Sequence, residues 1–315
     1  MQSVEFRSEH HRVTKALEQY VEELLAQGYT NKEVSSITGI GQRAVKDIDK
    51  CRLRRVYTEG DEEEGTLALK QPERFTKLLG IDEFKLHKGH KYATHIIDLE
   101  TGHILWISYG KSKKVVYDFI DHVGEEWMSH VEAVACDMNS DFQEAFEERC
   151  EWIQPVFDYF HIVKNFNDKV VSEIRKDEQR RLFEEGNIDA AKALKKTRYI
   201  LTSNRSTLRK KDEEAAEGKI LHKGSDLFKT EDIVRKGGQE ARYDELLSEN
   251  KLLFTVDLIK EKLADAYQMT DEVKMSDKII DIMDICEATG NTHLLWFRKL
   301  LDKHFEGIIA HATYR

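Results

Sequence analysis

Two aspartates, Asp82 and Asp137, sit where apolar runs could present a carboxylate to a divalent cation. Asp137 follows Val131-Glu-Ala-Val-Ala-Cys136, a small apolar run of the kind expected for a central strand covered on both faces. Asp82 lies inside a second run, Leu78-Leu-Gly-Ile-Asp-Glu-Phe84. In open α/β sheets the apolar wall stops at the carboxyl ends of the strands, and ligand or metal enters there. If the two strands are neighbours, the two carboxylates face each other across one rim and offer hard oxygen ligands to Mg²⁺ or Mn²⁺. Two such ions, about 3.5 to 4 Å apart, activate a water and stabilise the leaving oxygen of a phosphodiester. Either aspartate alone reads as a solvated strand-end carboxylate; the pair is what points to metal. Asp158-Tyr-Phe-His161 has two readings. Asp158 caps a helix and His161 is a partly buried polar residue, or both support the metal ligands or touch a nucleic acid.

The elements that must position these groups follow from periodicity. Residues 78 to 87, 90 to 99 and 103 to 109 read as three strands, the last two joined by an Asp98-Leu-Glu-Thr-Gly102 hairpin turn in which Asp98 is a turn residue. Ser112 opens a helix with Val115, Val116, Phe119, Ile120 and Val123 on one face, and the strand ending at Asp137 follows. Ser140 with Gln143 fits a capping box for the next helix, whose apolar face is Phe142, Ala145, Phe146 and Cys150. Trp152-Ile-Gln-Pro-Val-Phe157 is a fifth strand, and Pro155 assigns it to an edge because proline cannot donate to a central ladder. Three antiparallel strands, helix, strand, helix, strand, helix is the order of the RNase H-like fold, with the first and fourth strands adjacent at the centre. From His161 onward the pattern is helical, one helix running from Ile162 through a basic tract to about residue 211, and the two prolines of the whole chain suit that.

The 315 residues are enough for one large or two moderate domains. Cys51, Cys136, Cys150 and Cys286 have no C-x-x-C spacing, so they signal neither a disulfide framework nor zinc and read as packing residues. No apolar run reaches the roughly 18 to 20 residues of a membrane span, and the amino terminus lacks the pattern of a signal peptide, so a cytoplasmic location is expected. The net charge of -10 excludes a uniformly basic nucleic-acid binder, yet residues 164 to 211 carry 14 Lys+Arg against 7 Asp+Glu. Near the start, Ala16, Leu17, Tyr20, Val21, Leu24 and Leu25 form one helical stripe. Thr30-Asn-Lys-Glu33 opens a short helix with Val34 and Ile37 inward, Gly39-Ile-Gly41 turns, and a basic helix from Gln42 packs Ala44, Val45, Ile48 and Leu53. That outline is a helix-turn-helix, with Arg43, Lys46 and Lys50 as DNA contacts, or else a small helical bundle with solvated lysines. Glu59-Gly-Asp-Glu-Glu-Glu-Gly65 reads as an acidic linker or loop.

Gly80-Ile-Asp82-Glu-Phe, Lys88-Gly-His90-x-Tyr92-Ala, Asp98-Leu-Glu-Thr-Gly102, Cys136-Asp137-Met and Phe157-Asp158-x-Phe160-His161-x-Val163-Lys164 together resemble the DDE transposases of the ISL-three insertion-sequence family. The resemblance runs from about residue 10 to the end. It implies an RNase H-like catalytic core with a large helical insertion and an N-terminal helix-turn-helix. The expected layout is residues 1–58 for the DNA-binding domain, 59–72 for the linker, 73–170 for the core, and 171–315 for the insertion and last helices. It also implies strand cleavage and joining at the element's terminal repeats and at target DNA, by a homodimer in the bacterial nucleoid, with Mg²⁺ or Mn²⁺. Asp82 and Asp137 would be the first two members of the acidic triad. The third, a glutamate in an Asn-Gly-x-x-Glu-Gly-x-Asn-like stretch, is expected beyond His311-Ala-Thr-Tyr-Arg315, so the chain is expected to be truncated and inactive alone, and Glu306 to be a helix-surface residue. Two other functions remain beside the enzyme: a DNA-binding module or transposition inhibitor that does not cut, and a plain transcription regulator.

Overall fold

The computed structural model describes residues 6–9, 11–60, 65–87, 91–138, 141–218, 220–221, 233–234 and 237–314. They fall into two compact units that part between Glu73 and Arg74.

The first unit is built on three helices, α1 (Lys15–Ala26), α2 (Asn31–Thr38) and α3 (Gln42–Tyr57). Thr14 caps α1 by accepting the Leu17 N–H, and Thr30 and Glu33 complete the capping box of α2. Gly39 takes the left-handed conformation (φ 73°) that ends α2. Val21, Leu24, Leu25, Val34, Val45 and Ile48 are its core. Ile37 and Leu53, expected inside, are 50% and 37% exposed, and Ala16 and Tyr20 also face outward. The helical period explains this: at 100° per residue Ile37 falls at the flank of the Val34 stripe, and Leu53 about 140° from Ile48. The Ser35 hydroxyl donates to the Ile40 carbonyl at 2.6 Å, and Ile40 packs against the core in place of Ile37. Within and beside the expected linker, Thr58–Glu59 pairs antiparallel with Ala68–Leu69. Its acidic centre, residues 61–64, lies outside the described residues.

The second unit holds a five-stranded mixed sheet: β1 (Leu78–His87), β2 (Lys91–Asp98), β3 (Ile104–Tyr109), β4 (Ala133–Ala135) and β5 (Gln154–Val156). The order is β3-β2-β1-β4-β5. The first three strands are antiparallel neighbours, while β4 and β5 run parallel to β1. This is the arrangement expected of an RNase H-like core, with β1 beside β4 at the centre and Pro155 on the edge. One face is packed by α4 (Lys113–Met128), which buries Val115, Val116, Phe119, Ile120, Val123 and Trp127, and by α5 (Asp141–Arg149), which buries Phe142, Ala145 and Phe146. These residues join Leu79, Ile81, Ile96 and Val134 in the main core. Gly124 (φ 82°, ψ 165°) interrupts α4, and beyond it the Trp127 indole donates to the Arg74 carbonyl at 3.1 Å. Ser112 is the N-cap residue of α4 without a side-chain cap bond, and Ser140, the expected cap of α5, lies outside the described residues.

On the opposite face Ala133 and Val156 pack against Ala310, with Leu78 and Tyr314 at the margin. The single helix expected from Ile162 to about residue 211 is broken into several. α6 (Tyr159–Phe166) passes through one π-helical turn into α7 (Ser172–Glu184), followed by α8 (Ile188–Ala193), α9 (Arg198–Leu201) and α10 (Arg205–Ala216). Gly186 (φ 81°) and the caps Asn187 and Asn204 supply the breaks, and short polar residues of this kind compete with helical hydrogen bonding. α11 (Gln239–Glu249), α12 (Lys251–Ala266), α13 (Glu272–Thr289), α14 (Thr292–Lys303) and α15 (Phe305–Ile309) complete the unit. Among the described residues no helix is long and apolar enough to cross a membrane. Cys136, Cys150 and Cys286 are buried, whereas Cys51, expected to pack, is exposed.

Candidate active site

The register of the parallel strands sets the site. Gly80 pairs with Ala135 and Ala135 with Val156. Side chains on a strand alternate between faces with period two. Two residues beyond these three positions, the chain carries Asp82, Asp137 and Asp158. β4 and β5 stop short of this row, at Ala135 and Val156, while β1 continues to His87, so the row lies where the ladder between β1 and β4 ends. Beneath it a Cβ at Gly80 would come within 2.9 Å of Leu99 and 3.1 Å of Ile97, so these side chains pack directly over the glycine.

Asp82 is exposed, and its Oδ1 accepts the backbone N–H of Glu83 at 2.8 Å. Asp137 is half-buried. A cavity of about 140 Å³ is lined by Asp82 and Asp137 together with Ile81, Glu83, Lys111, Asp141 and Phe142. The two aspartates singled out by the sequence thus share one cavity. Asp158 and His161 do not line it; they adjoin it through Asp137. The His161 Nδ1 lies 3.4 Å from Asp137 Oδ2, and its Nε2 lies 3.8 Å from Asp158 Oδ2. Asp158 is the N-cap of α6, accepting the His161 N–H at 2.9 Å. Hydrogen bonding to Asp137 raises the His161 pKa above its ordinary value; burial opposes the shift, and the charges of Asp137, Asp158 and Asp82 add to it.

Three lining residues escaped the sequence reading as site members. Lys111 follows β3 through Gly110 (φ 101°); its ammonium lies 3.7 Å from Glu83 and 4.7 Å from the centre of the Tyr92 ring. Turn positions carry no periodic signal, so only adjacency to a strand end could have marked it. Asp141 opens α5 four residues after Asp137, and Glu83 follows Asp82. A larger cavity of about 600 Å³ contains none of the aspartate row; Pro155, Phe157, His304 and Glu306 are among its lining residues. Glu306 is an exposed residue of α15, as the sequence suggests. The strand-end carboxylates lie on the smaller cavity. Its donors are hard oxygens suited to Mg²⁺ or Mn²⁺. Among the described residues no three His, Cys, Asp or Glu side chains converge closely enough to hold a metal by themselves.

In the first unit Arg43, Lys46 and Lys50 are exposed on α3 at spacings that share one helical face. Their neighbours are engaged elsewhere: Arg52 pairs with Asp49 at 2.8 Å and Arg55 with Glu22 at 2.6 Å.

The model of the ISL-three (ISL3) family, described as transposase, matches residues 79–315. The chain is 26% identical over 307 residues to the transposase for insertion sequence element IS1001 of Bordetella parapertussis, an alignment covering 97% of this chain and 65% of that relative. It is 30% identical over 96 residues to the transposase for insertion sequence element IS1557 of Mycobacterium tuberculosis strains CDC 1551 and H37Rv, covering 30% of this chain and 22% of the relative. The chain therefore spans less than two thirds of the length of these relatives.

Proposed function

The chain belongs to the ISL-three family of transposases, and from that premise we propose that it acts in metal-dependent cleavage and transfer of DNA strands at the ends of an insertion sequence. The observation that supports this reading is that Asp82, on β1, and Asp137, two residues past the end of the neighbouring parallel strand β4, line one cavity. In this reading the two carboxylates hold Mg²⁺ or Mn²⁺. Mg²⁺ commonly takes one or two protein carboxylates and fills its remaining positions with water and phosphate oxygens, so a fixed pair suits a site completed by its substrate. When bound, such ions supply an activated water or 3′-hydroxyl and stabilise the leaving oxygen. His161 orients Asp137 from behind, Asp158 holds the start of α6 in place beneath His161, and Lys111 offers a cation at the cavity rim. The third carboxylate of the triad is not assigned to a described residue.

For DNA recognition we assign residues 1–58 as a helix-turn-helix with Arg43, Lys46 and Lys50 on the groove-reading helix, joined by a linker of 59–72 to an RNase H-like core of 73–170. Residues 171–315 are the helical insertion and last helices. The partner is double-stranded DNA, terminal repeats and target, and pairing two ends calls for a homodimer on DNA. Replacing Arg43, Lys46 and Lys50 together by alanine should lower affinity for DNA and reduce the slope of log affinity against log salt by up to about 2.7. An unchanged slope, with folding intact by circular dichroism, would remove these residues from the interface.

The central test is Mg²⁺-dependent cutting of DNA carrying the element's ends. Asp82→Asn and Asp137→Asn should each abolish cutting and leave end binding unchanged; cutting at the wild-type rate by both variants would refute the assignment. A second reading is a DNA-binding module that does not cut and inhibits other copies; it rests on the exposed basic face formed by Arg43, Lys46 and Lys50 on α3. Gel-shift and cleavage assays on one sample separate the two, since the module binds DNA and yields no product.

A further inference from the structure

Among the described residues, Lys196 is the one non-glycine residue with a left-handed backbone, at φ 64°. A lysine there is strained by its Cβ, and glycine would relieve the strain. Strain retained at one position directs attention to what its side chain does. The turn that carries Lys196 is fixed from below. Leu194, Thr197, Ile200 and Leu201 are buried. The Leu194 carbonyl accepts the Thr197 hydroxyl at 2.7 Å and the Arg175 guanidinium at 3.2 Å. Lys260 donates to the Leu201 carbonyl at 3.0 Å and the Ser203 carbonyl at 2.8 Å. A turn pinned this way directs Lys195, Lys196 and Tyr199 outward, and Tyr199 is 78% exposed.

The charges nearby are unequal. Lys192 lies 3.6 Å from Asp189, and Arg198 bonds Asp168 at 2.6 Å. Among the described residues Lys195 and Lys196 have no carboxylate at ion-pair distance, although the same helical stretch supplies several acids. Two exposed lysines adjacent in sequence and an exposed aromatic ring three residues on match a nucleotide strand, with phosphate for the cations and a base face for the ring. In a duplex both faces of a base are already covered by stacked neighbours, so the ring suits a base that has no partner.

We infer that Lys195, Lys196 and Tyr199 form a docking point for a DNA strand carrying an unpaired nucleotide, with the two ammonium groups on its phosphates and the Tyr199 ring against its base. This rests on the proposal that the chain handles DNA and adds the form in which one strand is gripped.

The test uses the whole chain and two labelled duplexes of equal length, one blunt and one with a short unpaired 3′ tail, followed by fluorescence anisotropy over a range of salt. Tyr199→Ala should weaken binding of the tailed duplex by about fivefold or more and leave the blunt duplex near wild type. Lys196→Gly keeps the backbone conformation without the strain; it should unfold at a temperature no lower than wild type, yet show a salt slope shallower by roughly 0.7 to 0.9. The inference is overturned if either variant binds the tailed duplex as wild type does, or if wild type shows no preference for the tail. A wild-type chain that binds neither duplex overturns the inference together with the DNA reading beneath it. DNA binding or cutting that is indifferent to both substitutions overturns the inference alone.

Discussion

Near the start of β1, Asp98 is 7% exposed and accepts hydrogen bonds from Thr76 Oγ1 at 2.7 Å, Thr101 Oγ1 at 2.6 Å and the Glu100 N–H at 2.9 Å. At the rim where β4 stops, Asp82 and Asp137 line a cavity instead. Asp98 closes a turn, and its charge is consumed by the local fold: burial pushes its pKa up, but the bonds from Thr101, Thr76 and the backbone N–H groups of Glu100 and Thr101 outweigh that and leave it below the usual value. The same residue type in the same sheet thus serves the fold at one end, and at the other lines a cavity. The difference lies in what surrounds the carboxylate, a ring of donors in one case and the end of a ladder in the other.

The comparison breaks most sharply through chemistry. Asp137→Asn should remove cutting while moving the unfolding free energy by no more than about 0.5 kcal/mol, as expected of a polar residue outside the core. Loss of stability comparable to the loss of activity would make Asp137 a structural residue like Asp98. At the other end Asp98→Ala should cost about 1 to 3 kcal/mol in urea unfolding, because two hydroxyls and a backbone N–H lose their acceptor. It should leave DNA binding per folded molecule unchanged. Its pH dependence has a definite sign. A folded pKa below the unfolded value of about 3.9 adds stability that is fully present above that value and lost as pH falls through the folded pKa. Wild type should therefore lose more stability than Asp98→Asn between roughly pH 4 and the folded pKa; parallel acid unfolding curves would count against the bonding described here. A smaller effect is expected at Gly307, where a Cβ would lie 2.4 Å from the Phe157 ring and 3.1 Å from the Pro155 carbonyl. Phe157 is buried and has little room to yield, so Gly307→Ala should destabilise by about 1 to 2 kcal/mol. Because Phe157 precedes Asp158, His161 resonances in NMR should shift as well; silent resonances would show that the aspartate row is insulated from α15.

Much of this was readable from residues. β1 occupies the expected positions, the buried face of α4 is the expected set, and Pro155 marks an edge. Period two, period 3.6 and the missing proline donor each leave a direct trace in sequence. Ile37 and Leu53 misled because an apolar residue at the flank of a stripe resembles one at its centre. The pairing of Thr58–Glu59 with Ala68–Leu69 was hidden by its length, since two residues show no alternation. Asp82 and Asp137 were found because each ends or interrupts an apolar run; Lys111 and Asp141 reach the same cavity from a turn and a helix start, which only the tertiary fold brings near.

The two margins of the sheet differ in what they can accept. On the β5 side Pro155 has no N–H to offer and the Phe157 N–H is already bonded to the Gly307 carbonyl at 2.9 Å. On the β3 side Ile104, Ile107 and Tyr109 are 55%, 53% and 85% exposed. Among the described residues the β3 margin is therefore the one that presents exposed apolar side chains, and it is the margin away from the aspartates. With strands spaced about 4.8 Å apart, an added strand would sit three spacings from β1, roughly 14 Å away. Polymerisation through that margin could proceed without covering the carboxylates, and a charged substitution at Ile107 is the simplest way to guard the protein against it during purification.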